Sequence, residues 1–350
     1  MDQQQHIPFF FVLGRPRTGT TLLRSLFDAH PNVQIPWECQ FVLNLYPKYG
    51  KLEHWSTETL EQFYEELLEQ WQFSAWNTDH EKLKTDLLAC KGGNTYANIC
   101  RVVYLNNISF YPKEDIRLIG DKNPGYSIYP DRLKEIFPDA RFIYILRDYR
   151  DNFHSIKNID FELPIVSVVV YKWKHFYKKA LQASKKYPDS YRIVRYEDLV
   201  DEPEKNLVSL CEFLNLPYVP EVFDFYKMKP QAEQVYPEKI LKKHHKSLFN
   251  PVNKSRIGLW KNSMTSRQVK IADHVAGKYA EMAGYERIHT NFSPGIALLA
   301  LPGICYARFL YFMTGMIDRT PYRFRQKLLS KGPLFIARVF GKLFRKKKRT

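Results

Sequence analysis

The sequence predicts an α/β fold of three layers: a P-loop-like parallel sheet flanked by helices, with a basic amphipathic C-terminal extension. Three observations carry that expectation. Short apolar runs of strand length alternate with longer segments of helical spacing, the order that produces a parallel sheet covered on both faces. A glycine turn joins the first run to the first helix. Finally, 350 residues that are 45% hydrophobic and 15% aromatic close a sizeable core, which excludes low-complexity and disordered chains.

Residues 9–13 (FFFVL), bounded by Gly14 and Pro16, are too short for a core helix and read as a buried strand. The turn Gly14-Arg15-Pro16-Arg17-Thr18-Gly19 follows, and Leu22, Leu23, Leu26 and Phe27 then share a helical face until His30-Pro31 stops it. Capping residues open a helix over 56–73, with Leu60, Phe63, Tyr64, Leu67, Leu68 and Trp71 at helical spacing, and more helices are expected to residue 108. Runs 116–119 and 142–146 read as strands separated by a helix around 127–137. A helical stretch over 168–183 precedes a strand at 191–194, and Glu202-Pro203 opens a helix ending near Leu214. The domain is expected over residues 1–290, with a helical insertion at about 52–110, and residues 291–350 form a separate apolar and basic segment.

Lys and Arg number 53 against 37 Asp and Glu, a net charge of +16 that fits nucleic acid, an anionic membrane or an anionic small molecule. Its distribution separates these. Residues 301–350 hold 13 Lys and Arg and one acid, Asp318, interleaved with aromatics, a membrane-surface pattern that gives little support to nucleic-acid binding. Five scattered cysteines without a C-x-x-C pair read as reduced thiols, and the polar N-terminus lacks a signal-peptide pattern, so a cytoplasmic protein is expected. His244-His245 lacks a matching second ligand pair and reads as a solvated loop, and no metal site is expected.

Residues 14–21, GRPRTGTT, carry the most chemistry. Backbone N–H groups of such a turn, the positive end of the following helix and the threonine hydroxyls together make an anion cradle. The spacing G-x-x-x-x-G is that of a nucleotide phosphate loop, yet Thr20-Thr21 stand where a Walker motif has Lys then Ser or Thr, and the cation moves back to Arg17. An ATP-dependent P-loop kinase is thus an alternative that Thr20 argues against.

Residues 14–23, GRPRTGTTLL, closely resemble the 5′-phosphosulfate loop of sulfotransferases that use 3′-phosphoadenosine 5′-phosphosulfate (PAPS). Residues 142–155, FIYILRDYRDNFHS, are similar to the 3′-phosphate block of that family, with Arg147 ending a strand and Ser155 in the helix beyond. A guanidinium fork suits a phosphate dianion and serine adds a hydroxyl. The similarity continues through Asp121-Lys122-Asn123-Pro124, Arg195-Tyr196-Glu197-Asp198-Leu199 and residues 253–262 (NKSRIGLWKN), covering roughly residues 7–285. Asp28-Ala29-His30-Pro31 and Glu38 bring it nearest to the protein-tyrosine sulfotransferase type and bacterial enzymes akin to it.

The resemblance implies the sulfotransferase fold and an enzyme moving a sulfuryl group from PAPS to a hydroxyl, with PAP as product and no metal required. Charge grows on the leaving phosphate oxygen while the attacking hydroxyl loses a proton, so cations serve one side and a base the other. Arg17 and Lys122 are the candidates for stabilising the leaving phosphate and sulfuryl oxygens, and Glu38 occupies the family's general-base position. By the same likeness Arg17, Thr18, Gly19, Thr20 and Thr21 hold the 5′-phosphosulfate, and Tyr196 lies near the nucleotide. Arg147 and Ser155 hold the 3′-phosphate with Lys254, Ser255 or Arg256; Asn253-Lys254-Ser255 departs from the usual Arg-Lys-Gly, which leaves that choice open. His30 and His154 are alternative bases, with structural roles expected for both.

Residues 295–317, GIALLALPGICYARFLYFMTGMI, are long and apolar enough to span a bilayer, but Pro302-Gly303 and Arg308 predict an interfacial or hairpin segment. Residues 334–344 set Phe335, Ile336, Val339, Phe340, Leu343 and Phe344 against Arg338, Lys342 and Arg345, the pattern of a basic helix on an anionic membrane. The expectation is a peripheral enzyme at the inner face of the membrane, contacting its anionic surface through residues 295–350. Its expected acceptor is a hydrophobic or lipid-linked alcohol, sterol-like or glycolipid, with a glycan or peptidyl tyrosine as alternatives, in a pocket formed largely by the helices of residues 52–108 and by loops around 159–166 and 230–249.

Overall fold

The apolar run that opens the sequence forms β1 (Phe9–Gly14), buried at every position. The computed structural model describes residues 7–157, 159, 162–228, 250–317 and 320. After β1 come α1 (Thr20–Asp28), β2 (Val33–Gln34), α2 (Phe41–Tyr49), β3 (His54–Trp55), α3 (Thr57–Leu68), α4 (His80–Leu88), β4 (Gly92–Gly93) and α5 (Tyr96–Leu105). The middle of the chain forms β5 (Leu118–Lys122), α6 (Pro130–Ile136), β6 (Arg141–Leu146), α7 (Tyr149–Ile156), α8 (Val166–Lys186) and β7 (Tyr191–Arg195). It ends with α9 (Tyr196–Asp201), α10 (Pro203–Leu214), α11 (Ser266–Ala276), α12 (Lys278–Met282) and α13 (Pro294–Ile317). Described residues within Met1–Arg15, Gly19–Ile145 and Gln182–Lys254 make one compact unit, and those within Pro16–Thr18, Leu146–Leu181 and Ser255–Thr350 a second.

The first unit holds a five-stranded sheet of order β2-β5-β1-β6-β7, with β1 at its centre. It pairs parallel with β5, Phe10 opposite Gly120, and with β6, Val12 opposite Ile143, while β2 runs parallel to β5. Both faces of β1 are covered, so its sequence shows no polar alternation. Phe10 and Val12 pack with Leu23, Leu26 and Phe27 of α1 and Leu207, Leu210 and Leu214 of α10. On the other face Phe9 and Phe11 meet the rings of Phe137, Tyr104 and Phe142. The parallel sheet flanked by helices is the fold class expected.

Three boundaries differ instructively. α3 is capped by Ser56, which accepts from the Thr59 N–H, and it stops at Leu68, with a 3-10 turn over Phe73–Ala75. Pro130 can open a helix without losing an internal bond, so the stretch at 127–137 becomes a 3-10 turn, Pro124–Ile128, followed by α6. β5 lies later than residues 116–119, which brings Asp121 and Lys122 onto the strand.

In the second unit Trp173 and Tyr177 of α8 pack with Tyr149 of α7 and with Tyr285. Asp273 of α11 accepts from the Tyr149 hydroxyl and from the Ile288 and His289 N–H groups. The expectation that Pro302-Gly303 breaks the apolar segment is corrected: α13 is continuous through both residues. Pro302 forfeits one intrahelical bond, to the carbonyl of Leu298 on the exposed side, and long apolar stretches continue the helix on either side. Gly303 is a close-approach residue, since a Cβ there would lie 2.1 Å from Ser167 Oγ. The basic helix expected at 334–344 lies outside the described residues.

Candidate active site

The turn after β1 is held open by backbone conformation. Ser127 Oγ accepts from Gly14 N–H (2.8 Å) and donates to the Gly14 carbonyl (3.0 Å), fixing the end of the strand. Arg17 (φ 72°) and Gly19 (φ 104°) both take the left-handed region, which costs a non-glycine residue about 1–3 kcal/mol. Gly19 is the N-cap of α1 and no side chain caps that helix, so its first N–H groups and the Thr20 and Thr21 hydroxyls lie at a positive dipole end. A Cβ at Gly19 would sit 2.4 Å from Tyr196 Cδ2, so the ring of Tyr196 lies directly on the turn.

In the same unit, Lys122 at the end of β5 is buried and donates to Glu38 Oε2 at 2.7 Å. The segment carrying Glu38 is fastened residue by residue. Arg24 donates to the Ile35 carbonyl and pairs with Asp28, while its guanidinium lies 4.2 Å over the Trp37 ring. Trp76 Nε1 donates to the Trp37 carbonyl (2.8 Å), and Asn123 Nδ2 to the Cys39 carbonyl (3.1 Å). Behind the pair, Asp121 accepts from the Tyr104 hydroxyl and from Asn123, and burial pushes its carboxyl up to about 7 despite those bonds.

The second unit gathers cations. Arg17 Nε donates to Ser155 Oγ (3.1 Å); Arg147 donates to the carbonyls of Arg17 (3.1 Å) and Arg256 (2.5 Å). Burial, then the charges of Arg256 and Arg147, hold the Arg17 guanidinium below its ordinary pKa. Asp151 of α7 accepts from Gly258 N–H (2.7 Å) and Trp260 N–H (3.0 Å), fastening the loop that carries Arg256, and Asn152 Nδ2 ties the Pro16 carbonyl to the same helix.

Of the residues singled out in the sequence, Glu38 and Lys122 are partners in the first unit, as are Gly19 and Tyr196. Arg17, Arg147, Ser155 and Arg256 cluster in the second, where Thr18 is buried and Ser255 exposed. Lys254 is paired with Asp201 on the surface. His30 is bonded to the Pro217 carbonyl and His154 to Ser263, while His244 and His245 lie outside the described residues. The sequence reading missed Arg24, Trp76, Asp121 and Asp151 as supports. Asp121 and Asp151 lie inside blocks it quoted, but the partners of the others are set only by the fold. All five cysteines are free.

A family model described as the sulfotransferase family matches residues 8–220. Protein-tyrosine sulfotransferase 1 of Danio rerio is 26% identical over 265 residues, covering 73% of this chain and 66% of that protein. Protein-tyrosine sulfotransferase of Drosophila melanogaster is 25% identical over 268 residues, 73% of this chain and 47% of that one, so the chain spans two thirds or less of either relative. Among solved structures, the sulfotransferase domain from the Synechococcus PCC 7002 olefin synthase shares the fold at 20% identity, with a TM-score of 0.54 over 80% of this chain and 95% of that domain. The sulfotransferase domain from the curacin biosynthetic pathway does so at 22% identity and a TM-score of 0.51, over 80% and 98%.

Proposed function

This chain belongs to the sulfotransferase family, and we propose that it moves a sulfuryl group from PAPS to the hydroxyl of an acceptor, releasing PAP. The observation that carries the reading is the cluster of Arg17, Arg147 and Arg256 beside Ser155. Three cations so close repel one another, and a phosphate dianion relieves that repulsion while accepting the guanidinium and hydroxyl donors. Arg256, whose backbone is joined to Arg147, is the favoured third partner for the 3′-phosphate over Lys254 or Ser255. Thr18, Gly19, Thr20 and Thr21 serve the 5′-phosphosulfate, with the ring of Tyr196 beside the turn.

Glu38 is the base. To take the acceptor proton it exchanges its hydrogen bond with Lys122 for one with the hydroxyl, and Lys122 Nζ turns its donors to the sulfuryl oxygens as Arg17 meets the charge on the leaving phosphate. The chain's own cations carry that charge, so the reading includes no metal. The acceptor is a hydrophobic or lipid-linked alcohol, met by an enzyme peripheral to the inner face of the membrane; the long apolar surface of α13 supports the contact with a membrane.

The test is transfer of labelled sulfate from PAPS to membrane-lipid extracts and, separately, to tyrosine peptides and glycans. Label is expected in the lipid fraction, reduced by roughly 100-fold or more in Arg17→Ala and in Glu38→Ala. Full activity in both variants overturns the site, and label confined to peptide or glycan overturns the lipid acceptor.

A further inference from the structure

A helix on a soluble surface buries its large apolar residues and exposes polar ones. In α13 the order is reversed. Ala300, Gly303 and Ala307 are buried and share a face, whereas Leu298, Leu301, Cys305, Phe309, Phe312 and Met316, spaced three or four apart on the opposite face, are exposed. Leu298 is 71% exposed and Phe312 64%. Only 11% of its most apolar window is buried. The small-residue face is firmly seated within the second unit. Gly303 abuts Ser167, Arg308 Nε donates to the Tyr171 hydroxyl (3.2 Å), the Tyr311 ring stacks on His175 at 3.9 Å, and α11 packs alongside.

We propose that the exposed stripe of α13 is an interfacial anchor that lies lengthwise in one leaflet of an anionic lipid bilayer. The 24 residues are about 36 Å long, enough to span. Yet seating over residues 300–311 along α8 means that a perpendicular crossing would drag Lys172, Lys174 and Lys178 into hydrocarbon. A helix lying flat avoids this, with Phe309 and Phe312 among the acyl chains and Arg308 at headgroup depth.

Charge selects an anionic surface over a second copy of the chain. The positive charges of Arg308, Lys178 and Lys278 all act on Lys174, so the second unit carries a basic cluster beside the helix. The sequence continues past α13 with 12 Lys and Arg against Asp318 alone. Two copies apposed through their stripes would bring those like charges together, whereas anionic headgroups neutralise them. This deepens the peripheral location proposed above and is independent of sulfuryl transfer.

The experiment is flotation of the full chain with vesicles, with no nucleotide or acceptor present. Binding is expected to vesicles of equimolar phosphatidylcholine and phosphatidylglycerol, to be at least roughly tenfold weaker to phosphatidylcholine alone, and to be released by alkaline carbonate. Phe309→Glu with Phe312→Glu leaves the basic segment intact and changes only exposed positions, so an unaltered melting curve and at least a tenfold loss of vesicle binding are expected. Undiminished flotation of that variant assigns binding to the basic segment and overturns the proposal. Retention after carbonate overturns it in favour of a spanning helix. A wild-type dimer that the double variant makes monomeric in sedimentation overturns it in favour of a second copy.

Discussion

At Asp121 burial and hydrogen bonding pull in opposite directions, and burial prevails. With its carboxyl raised to about 7, the folded chain holds this proton more tightly than the unfolded chain, in which an aspartate titrates near 4. That contribution to stability is therefore fully present below about pH 4 and is lost as pH rises through about 7. Urea denaturation of Asp121→Asn should show a flatter dependence between those limits than the wild type; identical slopes would refute the assignment. Arg147 gives a second test at this scale. Arg147→Lys keeps the charge but loses the fork, so PAP affinity by calorimetry should fall roughly tenfold, and roughly 100-fold in Arg147→Ala. Equal affinities would remove Arg147 from the phosphate site.

At the scale of elements, β1, its turn and α1 were legible because their signals are local: an apolar run, two glycines and a helical spacing within some twenty residues. The Lys122–Glu38 contact was not, since its partners stand 84 residues apart and meet only after β5 has paired with β1. β2 is two residues long, too short for any periodicity, and is held by its pairing to β5. Pro302 misled because a proline reads as a break in isolation, whereas α13 is seated on its neighbours over residues 300–311, on both sides of Gly303. Gly19 joins both levels, visible in the sequence as a turn glycine and in the structure as the surface beneath Tyr196. Gly19→Ala combines a strained φ with a 2.4 Å clash, each worth about 1–3 kcal/mol, so it should cost about 2–6 kcal/mol in denaturant titrations and weaken PAP binding. In a Tyr196→Ala background, which carries its own cost for the emptied core, the clash is gone and the strain remains, so Gly19→Ala should still cost about 1–3 kcal/mol there; no further loss would show that the φ is unimportant.

For the whole molecule, the division proposed from the sequence places the catalytic domain in residues 1–290 and the apolar, basic segment after it. The described residues from 255 onward share one compact unit with α7 and most of α8, so the cut at 290 falls inside that unit and the separability of the two parts is a proposal. The face by which α13 is seated consists chiefly of Ala300, Gly303 and Ala307, which bury little area, while Tyr149, Trp173, Tyr177 and Tyr285 fill the second unit's interior from residues before 291. Arg17, Arg147, Ser155 and Arg256 likewise precede the cut, and Asp151 anchors the Arg256 loop without help from α13. A chain ending at residue 290 should therefore bind PAP within about threefold of the full-length protein, with a melting temperature lower by a few degrees. Saturating PAP at about 100 times its Kd should stabilise both forms by about 2.7 kcal/mol, because the linkage depends on the site alone. Vesicle flotation should disappear from the shortened chain. Loss of PAP binding on truncation would instead show that α13 is a structural part of the catalytic domain, and the boundary at 290 would have to be withdrawn.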